Sequence, residues 1–106
     1  MTEGLDRLFA TIAARKGADP DRSYTARLLA AGVEKCARKF GEEATETVIA
    51  AIKQDKSELA KESADVLYHL AVLWAASGIT PEDVYAVLTS REGMSGLEEK
   101  ASRPKS

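Results

Sequence analysis

Leu5, Leu8, Phe9, Ile12 and Ala13 fall at intervals of three and four residues, the spacing that lines side chains along one face of an α-helix. The pattern predicts an amphipathic first helix that gives out at Gly17, then a turn over Gly17 to Asp21. Ser23 stands where its hydroxyl can accept a free backbone N–H, so it predicts the N-cap of a short helix running through Ala26, Leu28 and Leu29 to a bend at Gly32. From about Val33 to Gln54, the residues Val33, Ala37, Phe40, Ala44, Val48 and Ala51 share one face of a long amphipathic helix. Asp55 to Ser57 supplies a polar break and a new cap. A second long helix is expected from about Glu58 to Ser77, stopped by Gly78. Thr80, Pro81 and Asp83 read as cap, first-turn proline and third-position acid, and they open a short helix carrying Val84, Val87 and Leu88. Glycine, serine and charge dominate after Arg91, which predicts a partly flexible loop and tail over about residues 92–106, with a short helical piece near Leu97 to Ala101.

No segment alternates as a strand does, and no repeat is visible, so the expected class is all-α. The two long helices, joined by a short break, should pack as an antiparallel hairpin with the short helices around it. Val66 to Ala76 is apolar almost all round, interrupted only by His69, and asks for neighbours on every side. A helical bundle completed by dimerisation would supply them. At 106 residues the chain has room for one domain, 1–106, and its 44% hydrophobic and 30% charged residues suit a folded globular protein.

Charge and cysteine narrow the field. A net charge of −2 argues against a nucleic-acid partner, which would call for a basic excess. The apolar run of the second long helix is shorter than the roughly 20 residues that span a bilayer, so no membrane is implied. The acidic start, Met1 to Asp6, lacks the features of a secretory signal. Cys36, the single cysteine, has no partner for an internal disulfide and is expected to be a small buried hydrophobe in a reducing cytoplasm.

The chemistry lies in the acids. Glu43 and Glu46 are three residues apart, as are Glu62 and Asp65, so each pair projects from one face of its helix. In an antiparallel hairpin the two pairs lie at similar distances from the break and would converge. Four carboxylates brought together at a half-buried position repel one another unless a cation offsets them. Oxygen ligands without histidine or thiolate favour magnesium, with manganese as a substitute, and magnesium commonly binds substrate phosphate alongside a few carboxylates. The plainer account is a solvated charged face laced with ion pairs. Against it, Lys35 and Lys39 form a basic block followed by the acidic block Glu42, Glu43 and Glu46, and the stripe Glu58, Glu62, Asp65, His69 runs straight into apolar Leu73 and Ala76. Lys35 and Lys39 would sit beside a metal-bound phosphate, unless they are a solvent-facing basic turn. Gly41 suggests a kink, a close approach of ligand, or a packing contact. His69, one turn past Asp65, would take a proton, bind phosphate or orient Asp65, or else be a buried histidine with an ordinary partner.

The pattern Glu42-Glu43-x-x-Glu46 followed by Glu62-x-x-Asp65 resembles the metal motif of the all-α nucleoside triphosphate pyrophosphohydrolases, the MazG-like superfamily. Ser23-Tyr24-Thr25, Lys35, Lys39, the Tyr68-His69 step and the tail Arg91-Glu92-Gly93-Met94-Ser95-Gly96 are similar to the phosphoribosyl-ATP pyrophosphatase branch, and the likeness extends over about Asp6 to Arg103. Phe40, where a smaller aliphatic residue is expected, is a mild departure.

The resemblance implies hydrolysis of phosphoribosyl-ATP to phosphoribosyl-AMP and pyrophosphate, the second step of histidine synthesis, by a magnesium-dependent homodimer. On that pattern Glu43, Glu46, Glu62 and Asp65 would bind metal, and Glu42 would orient or deprotonate the attacking water. Ser23 and Thr25, near a helix start, are candidate phosphate or ribose contacts beside Lys35, Lys39 and His69. The rival activities are a house-cleaning pyrophosphohydrolase of dCTP or dUTP with the same motif, and a non-enzymatic helical interaction module.

Overall fold

A computed structural model describes residues 2–93. Among them are five α-helices and no strand: α1 (Thr2–Ala13), α2 (Tyr24–Ala31), α3 (Val33–Ile52), α4 (Lys56–Ser77) and α5 (Pro81–Ser90). The tail expected after residue 92 lies, from Met94 onward, outside the described residues.

Each boundary has a local cause. Ser23 Oγ accepts the Ala26 N–H at 3.1 Å and starts α2. Gly32, at φ +97°, ends α2 and turns the chain directly into α3. The reversal between α3 and α4 takes three residues, with Gln54 in the left-handed region at φ 59° and Asp55 capping α4 by accepting the Glu58 N–H at 3.0 Å. This tight turn folds α3 back along α4 as an antiparallel hairpin, the most extensive helix pairing in the chain. Gly78, at φ +77°, closes α4, and a reciprocal capping box between Thr80 and Asp83 opens α5.

The core gathers around the C-terminal half of α4. Ala71, Val72 and Ala75 meet Ile12 of α1, Leu28 of α2 and Cys36 of α3, with Leu8, Phe9, Leu29, Tyr68 and Leu73 packed around them. Cys36 is fully buried, its thiol donates to the Leu28 carbonyl at 3.3 Å, and burial pushes its pKa up, so it is a core side chain rather than a reactive thiolate. Small side chains at positions 36, 71 and 75 let the helices approach closely. Tyr85 of α5 donates to Asp6 of α1 at 3.0 Å and holds the last helix against the first.

The packing face expected of α3 is used only in part, through half-buried Phe40 and Ala44. Val33 and Val48 are about half exposed, and Ala37 and Ala51 are also exposed. The buried positions of α3 are Cys36 and Ala50, with Lys39, Phe40, Glu43, Ala44 and Thr47 half-buried between them. The seam with α4 is therefore lined by small and polar residues, and the larger aliphatics point outward together with Ile49, Ile52 and, on α4, Leu67. Gly41 lies within α3 with open space where a Cβ would be, so no packing contact among the described residues demands it. Among the described residues no helix is long and apolar enough to cross a membrane.

Candidate metal and phosphate site

The hairpin brings the two acidic pairs together. Glu43 of α3 and Glu62 and Asp65 of α4 each offer a carboxylate oxygen within 4.8 Å of the others. Glu46, one turn after Glu43, is exposed and lies outside that three-carboxylate group, but close enough to Glu62 and Glu43 for their charges to act on it. Glu62 is only 4% exposed, an unusual state for a carboxylate. Glu43 Oε2 and Glu62 Oε2 are both buried and accept from no donor among the described residues. Buried anionic oxygens of this kind are costly unless a cation meets them.

The crowding has an electrostatic signature. Contact with Glu62 and then Glu43 pushes the Glu46 carboxyl up from 4.5 to about 7, because the cluster resists holding every charge at once. Glu62 moves the other way: the Lys61 ammonium, at 3.1 Å, favours its ionised form, and a proton on Glu46 adds to the effect.

The other expected site residues surround this cluster unequally. Lys39 forms an ion pair with Glu42 at 3.0 Å, and that pairing raises the lysine pKa and lowers that of Glu42. Glu42 thus turns to Lys39 and stays exposed, outside the three-carboxylate group. Lys35, one turn earlier, is also exposed. Ser23 is occupied as the cap of α2, and Thr25 shares a hydrogen bond with the Tyr68 hydroxyl, which ties α2 to α4. His69 is 6% exposed, its Nδ1 has no partner among the described residues, and its ring meets Tyr68 and Tyr24 edge-on at 5.0 and 6.4 Å. Burial lowers its pKa, against the pull of nearby Glu43. A neutral ring with a buried, unpartnered nitrogen is not the blandly satisfied core histidine that was one alternative.

Two lysines were missed from the sequence. Lys61 Nζ lies 3.1 Å from Glu62 Oε1 and 3.6 Å from Asp65 Oδ2. With Lys53 it borders an open cleft of about 430 Å³ beside the acids, together with Glu46, Glu62, Asp55 and Glu58. The available signal was the four-residue spacing from Lys61 to Asp65, which places opposite charges on one helical face.

Because the raised Glu46 carboxyl binds its proton more tightly when folded than when unfolded, its own contribution to the stability of the metal-free protein falls as pH rises from about 4.5 to about 7, opposed by buried His69, whose lowered pKa adds stability as pH rises toward 6.5. Carboxyl-carbon NMR should find Glu46 titrating near neutrality, and Glu62→Gln should return it toward the ordinary range. A midpoint below 5 in the unaltered protein would contradict the crowding.

Comparison with known proteins places this geometry in a lineage. Residues 5–92 match the family described as phosphoribosyl-ATP pyrophosphohydrolase. Over 99 residues the chain is 65% identical to the phosphoribosyl-ATP pyrophosphatase of Parvibaculum lavamentivorans, covering 93% of this chain and 91% of that one. The proteins of the same name from Dinoroseobacter shibae and Cereibacter sphaeroides are 63% and 62% identical, again over 93% of this chain and over 97% and 96% of theirs. With a match over most of its length, and with the acids of the hairpin inside it, the chain belongs to the phosphoribosyl-ATP pyrophosphohydrolase family.

Proposed function

We propose that this protein hydrolyses phosphoribosyl-ATP between its α- and β-phosphates, giving phosphoribosyl-AMP and pyrophosphate in the second step of histidine biosynthesis, as a magnesium-dependent cytoplasmic enzyme. The observation that carries the proposal is the convergence of Glu43, Glu62 and Asp65 from two helices, in a chain of this family.

The residues fit a magnesium ion. The donor set is all carboxylate oxygen, two of those oxygens are buried without a donor, and Glu46 is raised by its neighbours' charge, all of which a divalent cation would relieve. Glu43, Glu46, Glu62 and Asp65 would hold it, with manganese as a substitute. Bound there, the ion supplies Lewis acidity toward the phosphoryl oxygens and makes water more acidic.

The chain's own groups do the rest. Glu42, exposed beside the cluster and held by Lys39, would orient the attacking water or take its proton. Lys35 and Lys39 would offset phosphate charge at that end of the cluster. Ser23 and Thr25 act first on the fold, capping α2 and tying it to Tyr68, and their proposed contacts with ribose or phosphate would be made from those fixed positions. His69, neutral and buried, is suited to donating or accepting one hydrogen bond, not to carrying charge.

The outward-facing aliphatics of the hairpin, Val48, Ile49, Ile52 and Leu67, support a homodimer that covers them. Ile52→Glu should then shift sedimentation from the mass of two chains toward one, and a single-chain mass for the unaltered protein would exclude the dimer.

Purified protein with magnesium should release pyrophosphate from phosphoribosyl-ATP and leave dCTP and dUTP intact, and Glu62→Gln should cut that turnover by about a hundredfold or more, the scale of losing one electrostatic stabiliser. Release from dCTP or dUTP alone would move the protein to the house-cleaning class. Full turnover by Glu62→Gln would remove Glu62 from the site.

A further inference from the structure

We propose that Lys61 is the resident counter-cation of this site: its ammonium holds the carboxylates in the metal-free protein, and when magnesium occupies the cluster it moves into the adjoining cleft to bind the pyrophosphate end of the substrate. The proposal rests on the magnesium-dependent reading above.

The geometry carries both halves. Lys61 Nζ contacts Glu62 at 3.1 Å and Asp65 at 3.6 Å, two of the three carboxylates that converge. An ammonium on Glu62 Oε1 and Asp65 Oδ2 and a divalent ion held by the same carboxylates would repel at a few ångströms, so each weakens the other's binding. The lysine is built to give way. Its side chain is 66% exposed, whereas that of Glu62 is 5% exposed, so the ammonium approaches from the solvent side on a flexible stem while the acid stays fixed.

The cleft gives it a destination. Lys61 lines the space of about 430 Å³ at the α3–α4 turn, and Lys53 stands on the opposite helix end. Glu46, Asp55, Glu58 and Glu62 also border the cleft, so acids outnumber its two lysines until a metal held by Glu46 and Glu62 offsets them. Asp55, however, is engaged as the cap of α4. Lys39 is paired with Glu42 one turn before Glu43, toward the other end of the cluster. Cations therefore flank the acids at both ends, and with the attacking water oriented by Glu42 at the Lys39 end, in-line displacement would put the leaving end at Lys61. Pyrophosphate accumulates negative charge as it departs, and an ammonium freed by the metal at that moment would stabilise it.

Calorimetric titration of magnesium into substrate-free protein separates the two halves. Lys61→Met should bind magnesium more tightly than the unaltered protein, by about two- to fivefold, the scale of one exposed ion pair. Lys61→Arg, which keeps the charge, should not. A loss of fold would weaken binding, so tighter binding is a result that a merely structural lysine does not give. With magnesium saturating, Lys61→Met should also be inhibited several-fold less by pyrophosphate, with inhibition by the AMP product unchanged. Equal magnesium affinity in Lys61→Met and the unaltered protein overturns the counter-cation role, and equal pyrophosphate inhibition overturns the contact in the cleft. If neither protein takes up magnesium, the metal site itself is wrong and both roles fall with it.

Discussion

Glu43, Glu62 and Asp65 crowd one another at the seam between α3 and α4, with exposed Glu46 beside them, and much of the structure is arranged to hold them there. Left alone, such a group would splay into water, because the pairs sit on separate helices joined by three residues. Core packing prevents it. Ala71, Val72 and Ala75 at the far end of α4 close on Cys36 and Ile12, and that apolar grip fixes the hairpin in the register that sets Glu43 opposite Glu62 and Asp65. The hydrophobic effect at one end of α4 thus sustains electrostatic tension at the other. The protein relieves part of that tension itself, through the Lys61 ammonium.

Division of labour along α4 makes this economical. Its first half carries Glu58, Glu62 and Asp65, its second half is the centre of the core, and His69 lies at the junction. That histidine is buried and neutral, with Nδ1 unpartnered among the described residues and two tyrosine edges against it. Tyr68 shares a hydrogen bond with Thr25, so α2 is fastened to the same junction. A displacement of α2 would therefore be felt by the ring next to the acids.

Much of this was legible in the residues, and the parts that were not have specific reasons. Caps declared the helices: Ser23, Asp55, Gly78 and the Thr80–Asp83 box each act through local chemistry that needs no tertiary knowledge. Spacing was enough to set Glu43 near Glu62 and Asp65 once the turn was short. The packing face of α3 was not legible, because ranking side chains by apolarity selects Val33 and Val48, whereas the close α4 contact selects small Cys36 and Ala50. Lys61 escaped because attention to acids spaced three apart passes over a cation one residue away. Its reach back to Glu62 depends on a long stem bending toward a buried charge.

If the hairpin holds its acids together for a divalent ion, thermal unfolding against magnesium concentration at fixed ionic strength will report it. An ion that binds only the folded cluster raises the midpoint progressively with its concentration. The expected result is that rise, greatly reduced in Glu43→Gln and absent when sodium replaces magnesium at equal ionic strength. A midpoint that does not respond to magnesium, or that rises equally in Glu43→Gln, would contradict the claim and leave the four carboxylates as a charged surface.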